Sequence, residues 1–148
     1  MRVEDKIELY ELNHRYALHI DFHQIDDWVA LFTEDAVLDE RELGFVVHEG
    51  RAAIRAYGDM LAATVLHVAH LVPNILVTET GPDEAKGTVL ALVEAMMRDN
   101  SRTRYQIWYE DSYVRQGGKW RFRKRVVRPT LPPECLNAAA PDQVLRPD

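Results

Sequence analysis

The 148-residue chain holds a single cysteine, Cys135. One thiol cannot close an internal disulfide, so the fold must rest on its core, and the pattern suits a reducing compartment. No stretch approaches the ~20 consecutive apolar residues of a membrane-crossing helix. The opening MRVEDKIELYELNHR is too charged for a secretory signal. Basic residues are in deficit, 18 Lys and Arg against 24 Asp and Glu, which leaves a formal charge of −6. That balance argues against a nucleic-acid backbone as the main partner. The few glycines form no phosphate-cradling loop and no G-x-S-x-G elbow, and Cys135 has no nucleophile context. Covalent catalysis and nucleotide use are both argued against. What remains is 47% hydrophobic and 28% charged, enough for one good core. The expectation is a cytoplasmic domain with no membrane partner, no nucleic acid and no cofactor.

The hydrophobic period changes midway along the chain. Residues 4–23 read as a helix whose one face carries Ile7, Tyr10, His14, Ala17, Leu18 and Asp21. A second apolar stripe, Leu9, Leu12, Tyr16 and Ile20, predicts cover on more than one side. A short helix over 26–32, strands at 36–40 and 45–50, and a helix over 51–63 follow. Then come long strands separated by the turn signals TGPDE, DNS and QGGK. Pro73 inside the first of these strands predicts an edge or a bulge. Helices first and an antiparallel meander after give an α+β fold, with helices packed on one face of a curved sheet. Residues 1–128 read as a single domain. From Pro129 onward, prolines argue for a tail lying on the surface or on a neighbour.

Two polar residues sit in apolar surroundings. Asp21, in RYALHIDF, lies on the apolar side of the first helix near its end. It either faces water and caps the next turn or has a buried partner, because carboxylates are seldom buried unpaired. His70, in HVAHLVPN, shares a strand face with Val72, Asn74 and Leu76 by alternation. A core histidine satisfied by a carbonyl is the plainer reading. Asn74 on the same face points instead to a wet pocket. Metal binding competes for the histidines, since His67 and His70, and His19 with His23, have ligand spacing. No third or fourth ligand is evident, so no metal is expected. WRFRKRVVR puts Arg121, Arg123 and Arg125 on one strand face by alternation, most simply a solvated one. Tyr105, Ile107, Tyr109 and Tyr113 read as a half-buried strand face in which Asp111 is the polar oddity, and Trp108 points the other way.

Taken in order, RYALHID, LFTEDAVLD, EGRAAIRAY, HLVPN and YEDSYVRQGGKWRFRKR resemble the SnoaL-like branch of the nuclear-transport-factor-2-like superfamily, from about residue 5 to 128. The resemblance implies a cone of bent antiparallel sheet with N-terminal helices packed over a central apolar cavity. Within that branch scytalone dehydratase and hexachlorocyclohexane dehydrochlorinase use an Asp–His pair facing the cavity, which here matches Asp21 and His70. The partners specific to those substrates differ: Ile20 and Tyr16 stand where they carry a tyrosine and a lysine, and LDERE offers only acids. The resemblance therefore implies a cofactor-independent lyase or isomerase acting on a hydrophobic small molecule by proton abstraction. Trp28, Tyr57, Asn74, Tyr109 and Arg125 are candidates to line the pocket or polarise a leaving group. Rival readings are a polyketide cyclase, a ketosteroid isomerase, a non-catalytic small subunit of a ring-hydroxylating dioxygenase, and a hydrophobic-ligand-binding protein. Self-association as a homodimer or homotrimer through the outer sheet face is also implied.

Overall fold

In the computed structural model, which describes residues 1–137, α1 spans Val3–Asp21. Its buried stripe is Leu9, Leu12, Asn13, Tyr16, Ala17 and Ile20, spaced to face the sheet. The other expected face is only partly covered: Ala17 is buried and the Asp21 side chain largely so, while Ile7 and Leu18 are about half exposed. One sheet contact satisfies the helix, and its remaining apolar residues stay in water. Helix α2 (Ile25–Ala30) begins with Asp26 and Asp27, where the helix dipole favours negative charge. Helix α3 (Arg51–Thr64) crosses it so closely that a Cβ on Gly58 would stand 2.9 Å from Ile25 and 3.0 Å from the Trp28 ring.

The strands are β1 (Phe32–Asp39), β2 (Val47–Glu49), β3 (Val65–Gly81), β4 (Glu84–Met97), β5 (Arg102–Gln116), β6 (Lys119–Pro129) and β7 (Glu134–Asn137), with a 3-10 turn at Arg41–Leu43. They form one curved, unclosed sheet in the order β2-β1-β6-β5-β4-β3, with β7 paired to β5. Strands β3 to β6 are the expected antiparallel meander. The all-antiparallel expectation needs one correction: β1 runs parallel to β6. Parallel neighbours cannot be joined by a hairpin. Here the crossover is α3 together with the whole meander, a pairing that no local turn signal announces.

Two bulges re-aim the side chains. In β3, Leu71 faces Leu92 but Asn74 faces Leu90, so one residue at Val72–Pro73 is extra. Alternation restarts there: His70 and Val72 point inward, then Ile75 and Val77, while Asn74 and Leu76 point out. The expectation that Asn74 shares the face of His70 is thereby overturned. Proline, with no N–H for the ladder, is the cause, and β3 is an edge strand as Pro73 predicted. In β6 the extra residue is Arg123, between the pairs Ser112–Lys124 and Tyr113–Phe122. It turns Arg125 onto the buried face of Trp120 and Phe122, correcting the expected Arg121–Arg123–Arg125 face.

The core lies between α1, α2 and the concave face, around Tyr16, Trp28, Phe32, Tyr109, Tyr113 and Phe122. Truncating one such buried aromatic to alanine costs about 3–5 kcal/mol. Among the described residues no helix is long and apolar enough to cross a membrane. Of the segment expected as a tail, β7 lies along β5, pairing Thr103 with Cys135. Residues 138–148 lie outside the described residues.

Candidate active site

Asp21 is the last residue of α1, at the end where the helix dipole offers a carboxylate nothing. Its compensation comes from β3. The His70 ring nitrogen Nδ1 lies 2.5 Å from Asp21 Oδ1, and the His70 main-chain N–H donates to Oδ2 at 2.8 Å. Both side chains are largely buried. A carboxylate accepts only, so Nδ1 carries the proton of the neutral ring. The other nitrogen, Nε2, is left as an acceptor without a protein partner among the described residues. The plainer readings of both residues give way: Asp21 is not a solvent cap, and His70 is not a core histidine held by a carbonyl.

His70 lines a cavity of about 430 Å³ between the concave face, α2 and α3. Its walls are mostly apolar, with Ile20, Trp28, Leu61, Val93, Ile107 and Val127 among them. Tyr16 stands edge-on to the His70 ring, centroids 6.3 Å apart. The aromatic neighbour of the Asp21–His70 pair is thus a phenol, and burial pushes its pKa up, so it stays protonated. At the rim Phe45 and Met60 are about half exposed.

Of the other sequence candidates, Trp28, Tyr57 and Tyr109 line this cavity. Asn74 does not, because the Pro73 bulge turns it to the outer face. Arg125 does not either. It is fully buried behind the wall, its guanidinium 4.1 Å from the Tyr16 ring centroid and 3.9 Å from that of Tyr109. Its Nε and Nη2 grip the two oxygens of Asp111 at 2.9 and 2.7 Å, and Nη2 also reaches Asn13 at 2.5 Å. Tyr113 donates to Asp111 at 2.7 Å, and Asn13 donates to the Tyr113 hydroxyl at 2.9 Å. Burial works against the guanidinium charge, yet Asp111 outweighs it and holds Arg125 charged. The polar oddity of β5 and the inward arginine of β6 are thus one buried pair, packed behind the Tyr16 and Tyr109 rings that form the cavity wall.

The histidines with ligand spacing do not converge. His19 pairs with Gln24 at 2.7 Å, His67 is exposed, and His23 reaches the cavity rim in a left-handed backbone conformation. Among the described residues no group of three His, Cys, Asp or Glu side chains could hold a metal.

Sequence reasoning missed Glu40, in the acids of LDERE. It follows β1 and lines the same cavity. Burial pushes its carboxyl up to about 7, with the Tyr57 hydroxyl opposing and Asp39 adding. His48 of β2 stacks on Tyr57 with centroids 4.1 Å apart, and its Nε2 lies 3.9 Å from Glu40 Oε2. A signal was there: alternation along the expected strand 36–40 puts Glu40 in phase with Ala36 and Leu38, both fully buried.

The profile of the SnoaL-like domain family matches residues 1–126. Solved structures of similar shape agree with it. A candidate aromatic ring hydroxylase of Novosphingobium aromaticivorans is 25% identical, with a TM-score of 0.87, covering 91% of this chain and 95% of its own. A candidate scytalone dehydratase of the same species is 19% identical, with a TM-score of 0.82 over 99% and 97%. A hexachlorocyclohexane dehydrochlorinase of type 2 is 17% identical, with a TM-score of 0.84 over 97% of both chains.

Proposed function

Because the chain belongs to the SnoaL-like domain family, we propose that it is a small-molecule lyase or isomerase in which Asp21 and His70 abstract a proton from carbon. The observation that carries this reading is the double grip of one carboxylate on His70, at ring and main chain. It fixes the imidazole in the tautomer whose Nε2 can accept a proton. It also supplies the negative charge that stabilises the imidazolium once formed. The apolar cavity favours a hydrophobic substrate and keeps water from competing for the base. General-base work of this kind contributes ~10²–10⁴-fold. No step of such an elimination or isomerisation needs a cofactor. The solved dehydratase and dehydrochlorinase of the same shape are consistent with it.

The test is proton exchange at a substrate carbon. Purified protein is incubated in D₂O with a panel of apolar ring ketones and halides, and deuterium uptake or elimination is followed by NMR. Activity that vanishes in His70→Ala supports the reading; exchange unchanged in that variant ends it. The likeness to a candidate aromatic ring hydroxylase favours a second reading, a non-catalytic subunit of an oxygenase. In that case the isolated chain is inert and a larger oxygenase chain co-purifies with it.

A further inference from the structure

Glu40 and His70 reach the cavity from opposite flanks of the sheet. Glu40 follows β1 and His70 sits on the edge strand β3, with β6, β5 and β4 between them. Nothing in the proton-abstraction reading uses Glu40, yet among the described residues it is the one carboxyl that lines the cavity. Its backbone is pinned: the Glu40 carbonyl accepts from Leu43 and Phe45, and its N–H donates to Val46. The residue is 8% exposed, and Oε2 has no hydrogen-bond partner among the described residues.

The groups facing it are almost all neutral. Tyr57 comes from α3, Tyr16 from α1, and Tyr105 and Tyr109 from β5, all phenols whose pKa values burial raises. His48 of β2 is 3.9 Å away, too far for a hydrogen bond, and burial lowers its pKa and so works against its cation. The neighbouring Asp39 is negative but is taken by Arg41 at 2.7 Å. A carboxyl in such company, with no cation to pair it, holds its proton up to about pH 7.

Resting on the proton-abstraction reading, we propose that Glu40, as an uncharged acid, donates a hydrogen bond to a carbonyl oxygen of the substrate, which makes the substrate class an apolar ring ketone or enone. The C–H bond next to, or conjugated with, that carbonyl breaks. Its proton goes to His70 Nε2 and its electron pair runs onto the carbonyl oxygen. Glu40 holds the resulting enolate by its O–H, without itself being consumed. The imidazolium then returns the proton to carbon, or the enolate expels a leaving group. A donor aimed where charge develops in a water-poor site is among the larger contributions an enzyme can make.

The probes are 2-tetralone and tetralin, of one size and differing in the carbonyl, with binding measured by calorimetry across pH 5 to 9. The unmutated protein is expected to prefer the ketone at least tenfold at pH 6, and to lose that preference as pH rises past about 7, where Glu40 ionises. Glu40→Leu abolishes the preference at every pH. Glu40→Gln still donates through its amide, so the preference survives and becomes flat with pH. His70→Ala keeps the preference while losing deuterium exchange, so a failure of the dyad and a failure of Glu40 are read separately. No ketone preference in the unmutated protein, a preference untouched in Glu40→Leu, or the same pH dependence in Glu40→Gln would each overturn the proposal.

Discussion

One carboxylate, that of Asp21, holds His70 at two points, the ring Nδ1 at 2.5 Å and the main-chain N–H at 2.8 Å. The second contact matters as much as the first. It ties the end of α1 to β3 and so fixes where the carboxylate stands beside the imidazole.

Asp21→Asn keeps the shape and reverses one donor. The amide NH₂ facing Nδ1 donates where the carboxylate accepted, and the favoured tautomer then places the ring proton on Nε2. The base is lost even though the histidine stays. Turnover is expected to fall by ~10²–10⁴. The double variant with His70→Ala should be hardly slower than either single one, since residues acting as a unit are non-additive. Single-turnover kinetics on all three variants decides it; additive losses would mean that the two residues act separately.

Glu40 also gives a stability signature. Its folded pKa of about 7 lies above the ordinary 4.5. Below 4.5 the proton is held in both states and this stabilising contribution is fully present. Between 4.5 and about 7 only the folded chain keeps the proton, so stability falls as pH rises through that window. The loss approaches about 3 kcal/mol by pH 8. Urea denaturation at pH 4.5 and 8 should show that difference shrink in Glu40→Gln, which carries no charge to bury.

The helices and the meander were legible in the sequence because each rests on local chemistry, which also marked Asp21 and His70 as odd; that the two pair was implied by the family resemblance. Period 3.6 gives α1, turn dipeptides give the hairpins, and Asp21 and His70 are polar residues in apolar runs. What was hidden depends on phase. Alternation carries a face forward only until a residue is inserted, and the bulges at Pro73 and Arg123 each insert one. Asn74 was therefore placed inside and Arg125 outside, both reversed by a single residue. Pro73 announced its bulge, while nothing in the run RKR announces the one at Arg123. Glu40 is a different case. Alternation with Ala36 and Leu38 already pointed it inward; what the acid-rich LDERE segment masks is how far Tyr57 of α3 and His48 of β2 bury it.

The buried Arg125–Asp111 pair should behave as structure that shapes the site. Arg125→Met leaves the Asp111 charge unpaired in the core, beside Asn13 and Tyr113, and should cost about 3–5 kcal/mol. Combining it with Asp111→Asn removes the orphaned charge and should recover part of the loss. Urea denaturation of the four corners of that cycle measures the coupling. A mild, additive effect would show that the pair contributes little.

The outer sheet face carries the last prediction. Asn74, Leu90, Trp108 and Arg128 face one another in register across β3, β4, β5 and β6, forming one row on the convex side. Leu71 and Leu76 flank it, 62% and 66% exposed, and Leu90 is 40% exposed. Apolar residues scattered singly on a surface are ordinary, but a contiguous set on an open sheet face marks an interface. We propose that two or three copies of the chain meet there. The bulge that removed Asn74 from the cavity delivers it to this face, where its amide would sit among the apolar contacts. Sedimentation at micromolar concentration should give a dimer or trimer, and a 17.1 kDa monomer alone would sink the idea. Leu76→Asp together with Leu90→Asp places charge in the middle of the contact and should yield that monomer. The cavity is lined by residues of one chain on the opposite side of the sheet. The monomeric variant should therefore still bind 2-tetralone, and a loss of binding on dissociation would mean that the neighbouring copy completes the site.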